Sequence, residues 1–335
     1  MNKILDKRIG ITLLIVIAII FPFMVDNPYI ARLMTLSFIY TIAIYGMNLL
    51  AGFTGYLSLA HAGFFAIGAY ALGIFTTRYE MSFWLAFIVA ILLTTVVGAI
   101  IGLIALRTRE HFFAIYTLIV GYLIYLIIDK WDEMTGGVRG LIGIPAPSAI
   151  GPIEFNTDRA MYYLALVFFL VATLVVTRIV KSLTGRTFIA IRNSEDLAQT
   201  IGINTQTNKL TSFIISIVFA AVAGALYASY VRFLGPDIAN LPMVFDFLMY
   251  LIVGGLGTIT GPIVGTMLIT FLTQFLQSLQ EYRMLIFGPI LTLLVIFYPT
   301  GIVGAISIFK MKFQNKRRLK AEAGINQDVN QVKEG

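Results

Sequence analysis

Long runs of residues without Asp, Glu, Lys or Arg alternate along the chain with short stretches that carry the charges. A helix rises about 1.5 Å per residue, so about 20 apolar residues are needed to cross a hydrocarbon core of about 30 Å. Suitable runs lie at residues 10–25, 33–77, 82–106, 111–128, 160–177, 210–231, 247–280 and 284–309. Because the run at 33–77 is long enough for two crossings and the run at 247–280 can hold two short ones, the pattern predicts about ten transmembrane segments. The stretch 244–280 forms either two crossings or one crossing plus a re-entrant piece.

Composition gives the same picture, because 59% of the 335 residues are hydrophobic and 12% are charged, with a mean hydropathy of +0.89. A soluble domain carries about 25% charged residues. We therefore predict an all-α fold, a polytopic membrane helical bundle with broken or re-entrant glycine-rich pieces, in a single transmembrane domain at residues 10–309. Small residues four apart, such as Gly98 and Gly102, predict close helix packing within it.

The residue types present limit the kinds of site that the chain can form. With no cysteine and only two histidines, we expect no metal site and no cofactor. The positive residues behind the formal net charge of +7 lie in short stretches and tails beside the apolar runs. This placement indicates topology signals and contact with the lipid membrane rather than a nucleic-acid partner.

Lysine and arginine also predict the orientation. Basic residues in segment 1–9 place the N-terminus in the cytoplasm. Counting crossings forward puts the connection 130–159 outside and the loop 181–209, which carries four basic residues, inside. An even number of crossings returns the basic tail 310–335, which we expect to be disordered, to the cytoplasm. The sequence thus predicts a multi-pass protein of the plasma (cytoplasmic) membrane.

Two glycine-rich segments interrupt the apolar runs, "AGFTGYLSLAHAGF" at 51–64 and "GGLGTITGPIVG" at 254–265. Irregular backbone survives at membrane depth only where protein or a water-filled cavity surrounds it. A pair of such segments in the two halves of a chain predicts broken helices beside a transport pathway. The candidate pathway residues are Asn48, Gly52, Gly55, Ser58, His61, Gly63, Gly254, Gly255, Gly257 and Gly261. The alternative is that the glycines only allow close packing and the polar side chains only join helices.

No energy source is evident in the sequence. No carboxylate lies inside the apolar runs before Asp129, although ion-coupled carriers usually need one, and no G-x-x-x-x-G-K-[ST] phosphate-binding loop occurs. Energy is therefore expected to come from another chain. A self-sufficient secondary carrier and a passive channel for a small neutral solute are the competing hypotheses, and no catalytic constellation favours an enzyme.

The loop 181–209 has the features of a short amphipathic helix. Ser194 is suited to cap it, Leu197 and Ile201 share one face, and Gly202 can end it. The apolar face must pack on the bundle's own base or the membrane surface, or else on a cytoplasmic protein that moves the loop.

Several motifs now coincide in order along the chain. They are "YGMNLLAGFTGYLSLAHAGFFAIGAY" (45–70), "TGGVRGLIGIP" (135–145), "GRTFIAIRNSEDLAQTIGIN" (185–204), "AGALYA" (223–228) and "GGLGTITGPIVG" (254–265). In this order they resemble the motifs of the membrane permease subunits of branched-chain amino acid ABC transporters, of the LivM-like kind.

The resemblance implies inward, ATP-driven transport of leucine, isoleucine and valine by alternating access, with urea, amides or other amino acids as alternative cargo. It implies four kinds of partner: a LivH-like second permease, two cytoplasmic ATPase subunits, an extracytoplasmic substrate-binding protein and the membrane. It also implies that the chain has no ATPase site of its own. Coupling to the ATPase subunits is assigned by the resemblance to Gly185, Arg186, Ala190, Arg192, Ala198 and Gly202.

Overall fold

A computed structural model of the chain describes residues 16–24, 27–108, 110–152, 154–275, 289, 292 and 301–305. The predicted cytoplasmic N-terminus at 1–9 and the predicted tail at 310–335 lie outside the described residues. So does most of the predicted last crossing at 284–309.

Helices account for most of the described chain. Residues 16–24 are helical, and the helices that follow are α1 (Pro28–Met47), a π-helical segment (Asn48–Thr54), α2 (His61–Thr77), α3 (Phe83–Ala105), α4 (Glu110–Lys130), α5 (Asp132–Thr135), a 3-10 turn (Gly137–Arg139), α6 (Asp158–Lys181), α7 (Leu183–Asn193), α8 (Glu195–Thr200), α9 (Thr205–Val231), a second 3-10 turn (Pro236–Ala239), α10 (Leu241–Gly254) and α11 (Gly261–Phe275). Two short strands, β1 (Leu141–Ile142) and β2 (Phe233–Leu234), pair antiparallel.

Polar side chains set where the long helices begin. Asn27, Thr157 and Asn204 accept hydrogen bonds from backbone N–H groups in the first turns of α1, α6 and α9. Each cap satisfies a donor that the start of a helix leaves without an intrahelical partner. Pro28, the first residue of α1, has no N–H to satisfy.

The described residues contain five helices that are long and apolar enough to cross a membrane, and three shorter apolar helices. Large apolar side chains stand exposed along α3, α4 and α6, as expected for lipid-facing surfaces, among them Ile88, Leu92, Val96, Ile115, Ile119, Val167 and Val171. An all-α, multi-pass membrane bundle is therefore confirmed. The number of crossings, predicted to be about ten, stays a prediction.

The helix α9 packs closely against α2 and α3 through small residues. A Cβ atom at Gly68 would lie 2.7 Å from the Cα of Ala221, and one at Gly102 would lie 2.5 Å from the Phe213 ring. A larger side chain at Gly68 would meet the α9 backbone, and one at Gly102 would displace the Phe213 ring, so both glycines allow the helices to approach closely.

The connectivity separates two ends of the bundle. The helices α7 and α8 lie between the end of α6 at Lys181 and the start of α9 at Thr205, and we call this the loop end. At the opposite end, Asp158 at the start of α6 pairs with Arg32 of α1, and the β1–β2 ladder joins the 130–159 connection to the end of α9.

Candidate functional site

The first glycine-rich segment interrupts the helical path between α1 and α2. From Asn48 to Thr54 the backbone is π-helical, and Gly55 then adopts a left-handed conformation (φ +87°) that ends the helix. Glycine tolerates this conformation because it has no Cβ. The chain runs irregularly from Gly55 until α2 begins at His61. The π-helical residues are almost fully buried, so their backbone depends on protein partners.

The second glycine-rich segment separates α10 from α11. Gly255 and Gly257 have φ values of +124° and +71°, and the helical path resumes at Gly261. The Thr258 hydroxyl donates to the Gly255 carbonyl (2.8 Å) and accepts from the Gly261 N–H (3.0 Å). The hydroxyl thereby satisfies one backbone group on each side of the break.

We call the interrupted segments 48–60 and 255–260 the first and the second break. The side chain of Asn48, in the first break, binds the second. The Asn48 side-chain nitrogen donates to the Thr258 carbonyl at 2.7 Å, and its oxygen accepts from the Gly257 N–H at 2.9 Å. Asn48 is completely buried. Its amide therefore provides the donor and the acceptor that the broken backbone of the second segment requires.

Close approach of Gly52 to Gly257 brings the backbones of the two breaks together. A Cβ atom on Gly52 would lie 2.5 Å from the Gly257 nitrogen and would also overlap the Asn48 side-chain oxygen. Neither a larger residue nor a water layer fits between the two segments at this point.

Arg192, near the end of α7, reaches this junction from the loop end. Its Nη1 atom donates a hydrogen bond to the Gly52 carbonyl, and a Cβ atom on Gly257 would lie 2.5 Å from the same Nη1 atom. The aliphatic part of the side chain packs on Gly55. One residue of the loop thus contacts both breaks, and a movement of α7 would be transmitted to them directly.

A buried cluster of charged and polar groups makes a second connection between the loop and the first break. Lys209 Nζ lies 2.6 Å from Glu195 Oε1 and donates to the Tyr56 hydroxyl at 3.2 Å, while that hydroxyl donates to Glu195 Oε2. The Lys209 side chain is only 3% exposed. Burial raises the pKa of the Glu195 carboxyl, but hydrogen bonds from Lys209 and Tyr56 outweigh it and hold that pKa below its usual value.

His61 acts as a connector between helices in this structure. Its Nε2 atom lies 2.8 Å from the Ala43 carbonyl oxygen and its Nδ1 atom 3.3 Å from the Ser216 hydroxyl. Ser58 differs, because its buried hydroxyl has no hydrogen-bond partner among the described residues. Of the three polar residues predicted to line a pathway, Asn48 and His61 therefore have hydrogen-bond partners, whereas Ser58 has none among the described residues.

The remaining predicted pathway glycines lie at packing contacts. Gly63 faces the Ile124 side chain, where a Cβ atom would lie 3.0 Å from Cδ1. Gly254 and Gly261 face each other across the second break, with a Cβ on Gly261 3.2 Å from the Gly254 carbonyl carbon. These contacts hold α10 and α11 side by side.

The short helix α8 has the predicted ends. The Leu197 N–H donates to the Ser194 hydroxyl at 3.2 Å, and Gly202 adopts a left-handed φ of +85° just after the helix. The residue buried against the bundle is Ala198, whereas Leu197 and Ile201 are 63% and 68% exposed. The apolar face of α8 is therefore not packed on the described part of the bundle.

The other loop residues that were predicted to couple to the ATPase subunits differ in their burial. Gly185 is buried at the tight turn between α6 and α7, where a Cβ atom would lie 2.7 Å from the Val180 carbonyl carbon. Ala190 is half-buried, and Arg186 is exposed. Among the predicted coupling residues, Arg192 contacts the predicted pathway glycines Gly52, Gly55 and Gly257.

Sequence reasoning did not identify the cluster of Tyr56, Glu195 and Lys209, nor the helix α7 that carries Arg192. Lys209 carried a signal, because this charged residue directly precedes the apolar run at 210–231 and lies in the first turns of α9. A charge at that place is also typical of an exposed span end, so the sequence alone does not indicate a buried pair.

The chain is similar in sequence to known transport proteins. Residues 29–296 match the family model described as branched-chain amino acid transport system / permease component. The chain is 29% identical to the high-affinity branched-chain amino acid transport system permease protein LivM of Escherichia coli, over 89% of this chain and 75% of that protein. It is 25% identical to the high-affinity branched-chain amino acid transport system permease protein LivH of Escherichia coli, over 83% of this chain and 95% of that protein. No solved structure matches the chain significantly.

Proposed function

Because the chain belongs to the family of branched-chain amino acid transport permeases, we propose that it is the permease subunit of an ABC importer for leucine, isoleucine and valine. Transport is inward and is driven by ATP hydrolysis on two separate ATPase subunits at the loop end, which is then cytoplasmic. A LivH-like permease completes the membrane core, and an extracytoplasmic protein delivers the substrate. The similarity of the chain to both LivM and LivH permeases supports such a pair.

The observation that carries this proposal is the contact of Arg192 with both breaks. An importer without its own energy source needs a mechanical connection from a loop outside the membrane to the transport pathway. Arg192 provides one through the Gly52 carbonyl and the backbone at Gly257. The Glu195–Lys209 pair holds the neighbouring helix α8 to the same region, so α7 and α8 can move the breaks together.

The exposed apolar residues of the loop support a protein partner. Leu183, Leu197 and Ile201 are 78%, 63% and 68% exposed. Exposed apolar residues grouped beside charged ones are typical of protein interfaces. We assign this surface to the ATPase subunits, with Arg186 exposed on the same loop.

The two breaks supply this subunit's part of the pathway. Glycine backbone, the Ser58 hydroxyl and the Asn48 amide offer polar groups within an otherwise apolar bundle. In alternating access these groups would face opposite sides in turn, as the breaks separate and close. The residues 10–309 form the transmembrane domain in this proposal, and both termini face the cytoplasm.

The test is reconstitution in liposomes with radiolabelled L-leucine. Accumulation should require this chain, the second permease, the ATPase subunits, the binding protein and ATP together, and urea should not replace leucine as cargo. Accumulation by this chain alone under a sodium or proton gradient would instead establish a secondary carrier. Downhill flux of urea through the chain alone would establish a channel.

A further inference from the structure

At the end of the bundle opposite the loop, a cavity of about 580 Å³ opens between α1, α6 and the end of α9. Arg32, Asp158 and Arg232 line it with charge, and Leu36, Met161 and Val231 line it with apolar side chains. The pathway breaks and the loop helices contribute no residue to this cavity. Its walls therefore combine cations, an anion and an aliphatic surface within one small volume.

Asp158 is fixed at the rim of this cavity. Arg32 Nε and Nη2 lie 3.1 and 3.0 Å from the same carboxylate oxygen, Oδ2. The Asp158 side chain nevertheless remains 42% exposed. Both contacts from Arg32 are made to Oδ2, so Oδ1 can accept a hydrogen bond from a ligand that enters the cavity.

Arg232 has two unusual properties. It follows the last residue of α9 in a left-handed conformation (φ +60°), a position where helices usually place glycine. Its exposed guanidinium makes no hydrogen bond or ion pair with any described residue. Backbone strain at a residue whose side chain has no partner among the described residues is a feature of ligand-binding positions.

We propose that this cavity binds a free aliphatic α-amino acid as a zwitterion, with its carboxylate on Arg232, its ammonium group on Asp158 and its side chain against Leu36, Met161 and Val231. A guanidinium binds a carboxylate through two parallel N–H donors. An ammonium group is a donor and suits the exposed oxygen of Asp158. This inference rests on the proposed function, because it makes the cavity the place where the permease receives its cargo.

A zwitterionic lipid headgroup such as phosphoethanolamine presents the same pair of charges, an ammonium group and an anion. The test therefore uses the full-length chain in detergent micelles from which phosphatidylethanolamine has been removed. L-leucine binding is measured by equilibrium dialysis for wild type, Arg232→Gly and the control Arg139→Gln, which changes an exposed arginine outside the cavity. We expect Arg232→Gly to weaken binding at least tenfold and Arg139→Gln to leave it unchanged.

The glycine variant removes the guanidinium and relieves the strained conformation at the same time. Its melting temperature should therefore equal or exceed that of wild type, so that lost binding is not explained by misfolding. Leucinamide, which lacks the carboxylate, and 4-methylpentanoate, which lacks the ammonium group, should each bind at least tenfold more weakly than L-leucine. An unchanged leucine affinity in Arg232→Gly would overturn the proposal.

Three further outcomes are distinguishable. If wild type binds no leucine but retains phosphatidylethanolamine in native mass spectrometry, and Arg232→Gly does not, the occupant is lipid and the amino-acid assignment is overturned. If the complete reconstituted transporter takes up leucine equally well with wild type and Arg232→Gly, only the cavity assignment fails. If the wild-type transporter takes up no leucine at all, the proposed function itself fails.

Discussion

Asn48 and Gly257 lie 209 residues apart in the sequence, and the Gly257 N–H donates a 2.9 Å hydrogen bond to the Asn48 side-chain oxygen. The same amide donates to the Thr258 carbonyl at 2.7 Å. Breaking a helix inside an apolar bundle leaves backbone groups without partners, and here a side chain of the other broken helix satisfies them. The two breaks therefore depend on each other for their stability.

The substitution Asn48→Asp should separate the acceptor role of the Asn48 side chain from its donor role. A carboxylate still accepts from the Gly257 N–H, but it cannot donate to the Thr258 carbonyl and would face that oxygen with like partial charge. We expect a loss of about 1–3 kcal/mol in the free energy of unfolding, together with loss of leucine uptake. Thermal unfolding in detergent measures the first effect. Asn193→Asp, the same change at an exposed position, is the control and should have little effect.

Gly52→Ala tests the close contact between the breaks. The added Cβ would lie 2.5 Å from the Gly257 nitrogen, a backbone atom that cannot move without displacing the second break. Overpacking of this kind costs about 1–3 kcal/mol. We expect uptake to be abolished while the protein still inserts in the membrane.

The matched control is Gly63→Ala, because there the nearest atom is the end of the Ile124 side chain at 3.0 Å, which can rotate away. Uptake by Gly63→Ala should stay close to the wild-type rate. Equal uptake by Gly52→Ala and wild type would show that contact between the breaks is not needed for transport.

Much of the fold could be predicted because it depends on local sequence. The charge-free runs indicated α3, α4, α6 and α9, and the glycine-rich segments indicated where helices are interrupted. Ser194 and Gly202 marked the start of α8 and the turn after it, because capping and left-handed turns depend on a few adjacent residues.

The site was less predictable because it is built from distant residues. The sequence singled out Asn48 as a candidate, but its partners at Gly257 and Thr258 follow only from the packing of α1 against the α10–α11 break. The π-helical segment was also missed, since one extra residue per turn leaves no trace in the hydrophobic pattern. The burial of Lys209 depends on Glu195 and Tyr56, which lie in different elements.

Arg192 and Leu197 should have separable effects in the assembled transporter. Arg192 contacts the breaks, whereas Leu197 is exposed on the surface that we assign to the ATPase subunits. We expect Arg192→Gln to keep ATPase binding, measured by co-purification, and to reduce leucine uptake at least tenfold. Leu197→Glu should lose co-purification, because it places a charge in an apolar interface.

Val138→Glu provides the control for this pair of variants, since Val138 is 72% exposed but belongs to the 130–159 connection at the other end of the bundle. It should keep both ATPase binding and uptake. Full ATPase binding by Leu197→Glu would contradict the assignment of the loop surface, and normal uptake by Arg192→Gln would contradict its role as the mechanical connection.

The Glu195–Lys209 pair should behave as a buried pair. Glu195→Gln leaves the Lys209 ammonium group buried without an opposite charge, and breaking a buried pair costs about 3–5 kcal/mol. We expect the lower end of that range because 18% of the Glu195 side chain is exposed. The double variant Glu195→Gln with Lys209→Met should recover most of the stability, because it removes the uncompensated charge.

An exposed pair offers the comparison. Lys130 Nζ also lies 3.0 Å from a carboxylate, that of Asp129, but the Lys130 side chain is 75% exposed. Lys130→Met should leave the free energy of unfolding close to that of wild type, because solvent screens an exposed pair. If the double variant in the buried pair is as unstable as Glu195→Gln alone, burial of the lysine charge is not the cause of the loss.

The lowered pKa of Glu195 predicts how this contribution depends on pH. Because the folded-state pKa lies below the ordinary glutamate value of 4.5, the pair contributes its full stability above that pH and loses it as the pH falls through the lowered value. Thermal unfolding of wild type and Glu195→Gln between pH 8 and pH 3 measures this, because the neutral glutamine mimics protonated Glu195. The difference in stability between the two proteins should be constant from pH 8 to about pH 5 and should shrink below pH 4.5. A difference that persists unchanged down to pH 3 would mean that the charge of Glu195 does not stabilise the contact between α8, α9 and the first break.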